Sequence, residues 1–157
     1  MRKSKIFSIY LFTCIIDQII KLIIKFNMKV KDSITIIPKF FKINYLQNSG
    51  AAFSSFEGKK YILIIVSLII FILLIKYIKE NEITRKLEII PLGMILGGLV
   101  GNLIDRVIYG YVIDYLSFTF FGWEFPVFNL ADSFIVVGVI LLIIDMILVS
   151  VKNRKNN

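Results

Sequence analysis

Apolar positions in this chain gather into four long runs, parted by three intervals of different character. Ile6–Ile24 is mostly apolar but contains Asp17 and Lys21. Tyr61–Ile75 is almost unbroken, and Lys76 can snorkel, which carries that run to Lys79. Leu87–Val107 is rich in glycine and is opened by Pro91, and Leu130–Val151 closes the series. Each run approaches the roughly 20 residues needed to cross a bilayer. The first interval, Lys25–Lys60, is different. Ser33–Tyr45 is rich in β-branched and aromatic residues, interrupted by Pro38, which predicts short strands or an interfacial platform. Gln47–Phe56 then reads as a turn of small residues. Lys76–Lys86 is a short charged loop, and Ile108–Phe128 is an aromatic connector resembling an interfacial belt, with a flap over a site as the alternative.

The pattern predicts an all-α membrane protein: one polytopic domain over 1–157 with four transmembrane helices at about 6–24, 61–79, 87–107 and 130–151. A small β-rich extracytoplasmic platform at about 25–60 is expected between helices 1 and 2. Composition agrees, with 57% hydrophobic residues and a mean hydropathy of +0.81. A net charge of +8 often signals nucleic acid, but here most Lys and Arg flank apolar runs, where they suit anionic lipid. With no histidine in the chain, Ser–His and Cys–His catalysis are excluded. The single cysteine, Cys14, lies in an apolar run and reads as a packing residue. The basic start, Arg2 to Lys5, also suits a cleaved signal peptide. Asp17, Lys21 and the lack of a small-residue cleavage site favour a retained first span.

With both termini cytoplasmic, the inner side holds ten Lys and Arg and the outer side seven, a small bias towards that orientation. Alternation of the spans is more telling. It brings Asp17 and Lys21, Asn102, Asp105 and Arg106, Asp114, and Asn129 and Asp132 to the same membrane surface. Polar side chains at membrane depth are costly and usually functional. Their convergence predicts a polar pocket there, covered by the 25–60 segment.

Each constellation has a plain alternative. Asp17 and Lys21, four residues apart on one helical face, either neutralise each other or hold a neighbouring helix. Asp105 and Arg106 read as a local salt bridge, or Arg106 meets a lipid phosphate. Gly93, Gly97 and Gly101 have the spacing that lets helices approach closely in lipid, and Gly98 begins an adjacent stripe running through Asn102. Asn129 is a good N-cap, with Asp132 in the first helical turn. If Asp114 approaches Asp132, the two would share a proton and titrate as a pair, one activating water and the other donating to a carbonyl. Which carboxyl does which stays open at this point. Asp145 lies too far along the fourth span to join them; it is expected near the opposite surface or paired with Lys76 or Lys79.

Taken together, these residues resemble lipoprotein signal peptidase (signal peptidase II), a bacterial membrane aspartic protease. Asp17-Gln18-Ile19-Ile20-Lys21 resembles its D-x-x-x-K, and Asn48 through Phe53 its N-x-G-A-A-F turn. The stretch from Gly98 to Arg106 resembles G-x-x-x-N-x-x-D-R. Val112-Ile113-Asp114-Tyr115 is similar to V-x-D-F with Tyr in place of Phe, and Phe128 to Asp132 matches F-N-x-A-D. The resemblance implies that Asp114 and Asp132 are a catalytic dyad. Asp17, Lys21, Asn48, Gly98, Asn102, Asp105, Arg106, Asn129 and Ala131 would bind substrate or support the site. It further implies cleavage of prolipoproteins before a diacylglyceryl-modified cysteine, without metal or cofactor, by a multi-pass protein of the bacterial cytoplasmic membrane with its site towards the outer leaflet. Membrane lipid and globomycin-type inhibitors are the other implied partners, nucleic acid is not one, and a monomer is expected. Two rivals are a small transporter or proton relay, and a Ser–Lys protease using Ser49, Ser54 or Ser55 with Lys21.

Overall fold

The computed structural model describes residues 2–50 and 59–155. Its elements are α1 (Arg2–Asn27), β1 (Ser33–Ile37), β2 (Phe41–Asn48), α2 (Lys60–Glu80), α3 (Lys86–Ile108), β3 (Val112–Phe120), β4 (Trp123–Glu124) and α4 (Leu130–Lys155). All four helices are long and apolar enough to cross a bilayer. Pro91 does not open α3: the helix begins at Lys86, and Pro91 sits inside its second turn.

α3 is the central helix and packs against each of the other three. Glycine makes this approach close. A Cβ at Gly93 would fall 2.6 Å from the Cβ of Ile9, and one at Gly101 would fall 2.5 Å from the Asp17 carboxylate, so that stripe belongs to α1. Gly98 faces the other way, against the Ala131 carbonyl of α4. Near the Arg85 end, Ile6, Ile78, Ile89, Leu92 and Leu96 form an apolar cluster shared by α1, α2 and α3. Asp145 is there too, and its partner is Arg85 at 2.7 Å rather than Lys76 or Lys79. Arg85 also approaches Glu88 at 3.4 Å, while Lys76 turns to Glu80.

The strands do not form a platform belonging only to the segment between α1 and α2. β1 and β2 come from there, but β3 and β4 come from the aromatic connector between α3 and α4, and the four form one antiparallel sheet in the order β1-β2-β3-β4. Stacked rings knit it together: Phe41 lies 4.7 Å from Phe118, which also stacks on Phe128. The connector therefore pairs backbone as well as presenting rings. Its tip, Phe121 and Gly122, takes positive φ at both positions, as a two-residue hairpin turn with the strands' own twist requires. The register decides the site. Leu46 is opposite Asp114 and Asn48 is opposite Val112, so Asn48 is the diagonal neighbour of Asp114 on the same face. A bridge between Leu116 and Phe128 then holds the chain beside β3 just before α4 begins.

Candidate active site

α4 starts with every early N–H occupied. Asn129 is the N-cap: its Oδ1 accepts from the Asp132 N–H at 2.9 Å, and Asp132 Oδ2 accepts from the Asn129 N–H at 3.3 Å. The N–H of Leu130 donates to the Tyr115 hydroxyl at 3.2 Å, and that of Ala131 to Asp17 Oδ1 at 2.9 Å. Four helix-initial donors normally lack partners; here α1 and β3 supply what the cap does not. Ala131 is fully buried, and its carbonyl lies where a Gly98 side chain would begin. Gly98→Ala should therefore destabilise the protein by about 1–3 kcal/mol, since overpacking forces backbone apart. Thermal unfolding in detergent measures this, and an unchanged midpoint would count against the tight α3–α4 contact.

Below that start lies a buried ionic knot. Lys21, 1% exposed, donates to Asp17 Oδ2 at 2.9 Å, Asp105 Oδ2 at 2.9 Å and Asn102 Oδ1 at 2.8 Å. Three ammonium protons meet three acceptors from two helices, so the pair does more than neutralise itself. Asp105 also accepts from Gln18 Nε2 at 3.0 Å and from the Ile113 N–H at 3.1 Å, which ties α3 to β3. Asp105 thus turns to Lys21 and not to its neighbour Arg106. Arg106 Nη2 instead donates to the Gly50 carbonyl at 3.3 Å, fastening the turn after β2.

Between knot and surface, three asparagines hold Asp114 and Asp132 in one hydrogen-bonded network. Asp114 Oδ1 accepts from Asn129 Nδ2 at 2.7 Å, and its Oδ2 from Asn48 Nδ2 at 2.8 Å. Asp132 Oδ1 accepts from Asn102 Nδ2 at 2.7 Å, in addition to the cap bond on Oδ2. None of the three amides is free to flip, because each carbonyl end is also taken. Asn102 Oδ1 accepts from Lys21 and Asn129, Asn129 Oδ1 from Asp132, and Asn48 Oδ1 from the Gly50 N–H at 2.9 Å. Both oxygens of both carboxyls are thereby fixed by single donors, leaving lone pairs for a water or a peptide.

Asp114 is buried on β3, and burial pushes its pKa up to about 7, with the nearby charge of Asp132 adding to the rise. Hydrogen bonds from Asn48 and Asn129 favour its ionised form and limit the shift. Asp132 is half-buried in the wall of a cavity of about 230 Å³, with Asn48, Asn102, Arg106, Ser67 and Ile135 also lining it. Among the described residues, no group of three or more His, Cys, Asp or Glu side chains is placed to hold a metal ion.

The sequence-predicted residues Asp17, Lys21, Asn48, Gly98, Asn102, Asp105, Arg106, Asp114, Asn129, Ala131 and Asp132 thus converge. Ala51, Ala52, Phe53, Ser54 and Ser55 of the turn lie outside the described residues. Three contributors carry little sequence signal. Gln18 is a polar neighbour of Asp17, Ser67 a lone hydroxyl in an apolar run, and the Tyr115 hydroxyl shows its use only when α4 is docked on it.

Residues 9–148 match the family model described as "Signal peptidase (SPase) II". The chain belongs to the signal peptidase II family. The lipoprotein signal peptidase of Halothermothrix orenii is 44% identical over 88% of this chain and 92% of that protein. One from Staphylococcus aureus is 38% identical over 94% of this chain and 90% of that protein. A solved bacterial membrane enzyme, determined by the in meso method, superposes with a TM-score of 0.86 at 36% identity, covering 92% of this chain and 88% of that one. A second gives 0.82 at 36% identity, covering 91% and 92%. Four crossing-length helices in a membrane-enzyme family make this signal peptidase II family member a multi-pass bacterial membrane protein.

Proposed function

We propose that this protein is an aspartic endopeptidase that removes signal peptides from prolipoproteins, cutting before a diacylglyceryl-modified cysteine, with Asp114 and Asp132 as the catalytic pair. The observation that carries this is the asparagine network joining both carboxyls at the ends of α3 and α4. Around it, Lys21 and Arg106 are two cations among four carboxyls: Asp17, Asp105, Asp114 and Asp132. Retaining one proton on the pair lowers that excess of negative charge.

Asp114, buried and away from a helix start, is the carboxyl that keeps the proton. Asp132, which accepts a backbone N–H at the positive end of α4, is the base of the pair. Asp132 takes a proton from water as the water oxygen bonds to the scissile carbonyl carbon, and Asp114 gives its proton to the carbonyl oxygen. The tetrahedral diol then returns a proton to Asp114 as the C–N bond breaks, and Asp132 protonates the leaving amine. Asn102 and Arg106 line the cavity where the peptide would lie. Both termini are assigned to the cytoplasm and the sheet to the outer leaflet, where a lipid-anchored cleavage site is held at the same depth as the pair. A monomer suffices, since one chain supplies both carboxyls.

A Ser–Lys mechanism is disfavoured, because all three Lys21 protons are donated to fixed acceptors, the state of an ammonium and not of a base. A transporter is disfavoured because Asp114 lies in β3 and Asp132 in the first turn of α4, rather than in the middle of a span.

The reading is tested by incubating purified full-length protein with a diacylglyceryl-modified prolipoprotein. The expected products are the intact signal peptide and a lipoprotein beginning at the modified cysteine, and globomycin should block their release. Absence of cleavage in bilayers as well as detergent would end the proposal. The rate should also fall as pH rises through about 7, since Asp114 then loses the proton it must donate. Asn48→Ala removes a bond that favours the ionised carboxyl, so its alkaline limb should move to higher pH. A pH–kcat profile of both proteins checks the sign, and a downward move would contradict it.

A further inference from the structure

At the end of the bundle remote from the carboxyl pair, α3 and α4 flank a cavity of about 470 Å³. It lies about 30 Å along α3 from Asp105, at roughly 1.5 Å per helical residue. Arg85, Lys86 and Leu87 line it from the start of α3, and Asp145, Leu148 and Lys152 from the later turns of α4. Its charges do not balance. Asp145, the carboxylate of the lining, is already bound by Arg85 Nη2 at 2.7 Å. The same nitrogen reaches Glu88 at 3.4 Å, and Glu88 also accepts from the Tyr77 hydroxyl at 2.9 Å. The guanidinium is therefore held in place by two carboxylates. Lys86 and Lys152 are exposed, and among the described residues neither forms an ion pair. Even with Glu88 counted, three cations stand against two carboxylates. The positive end of the α3 dipole adds to the same potential.

The remainder of the lining is apolar. Leu87 and Leu148 are exposed, and one turn further into the span the same face of α4 continues through Ile144, also exposed. An occupant that matches both parts carries an anionic group at the headgroup level and hydrocarbon beneath it. A soluble phosphate would meet the cations and leave the leucines uncovered. A zwitterionic lipid would bring a cation of its own among three others. The phosphate of an anionic lipid accepts charge-assisted hydrogen bonds from arginine and lysine, and its acyl chain continues over Leu148 and Ile144.

We propose that this cavity binds the headgroup of an anionic phospholipid in the leaflet opposite the catalytic pair, with Arg85, Lys86 and Lys152 holding the phosphate. One headgroup then ties the start of α3 to the later turns of α4, the two helices that carry Asn102 and Asp132 at their other ends. With both termini assigned to the cytoplasm, this is the inner leaflet, whose anionic lipids give that surface its negative potential. The inference concerns binding alone and stands or falls apart from the peptidase reading.

The test titrates the purified full chain, in detergent, with dioleoyl phosphatidylglycerol or dioleoyl phosphatidylcholine and counts bound lipid by native mass spectrometry. Phosphatidylglycerol should bind about tenfold more tightly than phosphatidylcholine. The double variant Lys86→Gln/Lys152→Gln should lose about that tenfold. Lys5→Gln/Lys79→Gln removes the same charge from exposed positions at the same membrane surface, outside the cavity, and should bind phosphatidylglycerol like the parent. Equal affinity of the parent for the two lipids would overturn the proposal. So would an equal loss in the two double variants, which would mark a diffuse attraction of basic flanks for anionic lipid. Displacement of bound phosphatidylglycerol by millimolar glycerol 3-phosphate would assign the cavity to a soluble phosphate compound and overturn the lipid assignment. A ligand of the folded state stabilises it, so phosphatidylglycerol should raise the unfolding temperature of the parent and of Lys5→Gln/Lys79→Gln, but not that of Lys86→Gln/Lys152→Gln. No rise in the parent would overturn the tie between α3 and α4.

Discussion

Asp114→Asn and Asp132→Asn should each lower kcat for prolipoprotein cleavage by roughly 10³-fold, because each removes a proton carrier that nothing nearby replaces. The nearest other carboxyls, Asp17 and Asp105, are locked to Lys21. The two variants should differ in stability. In Asp132→Asn, one oxygen becomes an amide donor facing either Asn102 Nδ2 or the Asn129 N–H, both held from behind, so a donor–donor contact is built in. In Asp114→Asn the same conflict meets Asn48, which is only half-buried, so the two amides can part towards the cavity that Asn48 lines. Asp114→Asn should therefore unfold close to the parent's temperature and Asp132→Asn below it. Paired kinetics and thermal unfolding separate chemistry from folding. Retention of more than about a tenth of parental kcat by either variant would leave that carboxyl outside the catalytic pair.

Lys21→Met should be the most damaging change to folding. It removes the ammonium shared by Asp17, Asp105 and Asn102 in a place where those groups are 0%, 1% and 5% exposed. Breaking a buried ion pair from one side costs about 3–5 kcal/mol, because the remaining charge has no partner. Here two carboxylates are stranded on facing helices. Adding Asp105→Asn removes one of them, so the double variant should recover part of the lost stability; this non-additivity is the signature of direct coupling. Activity should remain low even then, because Asn102 loses one of the two donors that fix its amide and holds Asp132 less firmly. Additive losses in the double variant would mean that Lys21 does not act through Asp105.

Much of this molecule was legible in the order of its residues. Runs of apolar side chains can hide backbone polarity in lipid only as helices, so four such runs imply four helices. Chain alternation across a bilayer then forces Asp17, Asn102, Asp105, Asp114 and Asp132 to one surface without knowledge of packing. Glycine spacing at 93, 97 and 101 likewise implied a close helix contact, because only a missing side chain permits it.

Pairing was decided elsewhere. Adjacency suggested Asp105 with Arg106, yet consecutive helical residues point in different directions, and packing with α1 gave Asp105 to Lys21. Asp145 went to Arg85 across the α3–α4 contact for the same reason. The connector's aromatics read as a belt because rings at an interface look alike whether or not their backbone is paired. Only the register between β2 and β3 showed that Asn48, sixty-six residues away in the chain, holds Asp114. Hydrophobic pattern determines which residues must leave water, and so the helices and their common face. Hydrogen-bond partners depend on helix rotation and strand register, which are fixed only when the whole chain packs together.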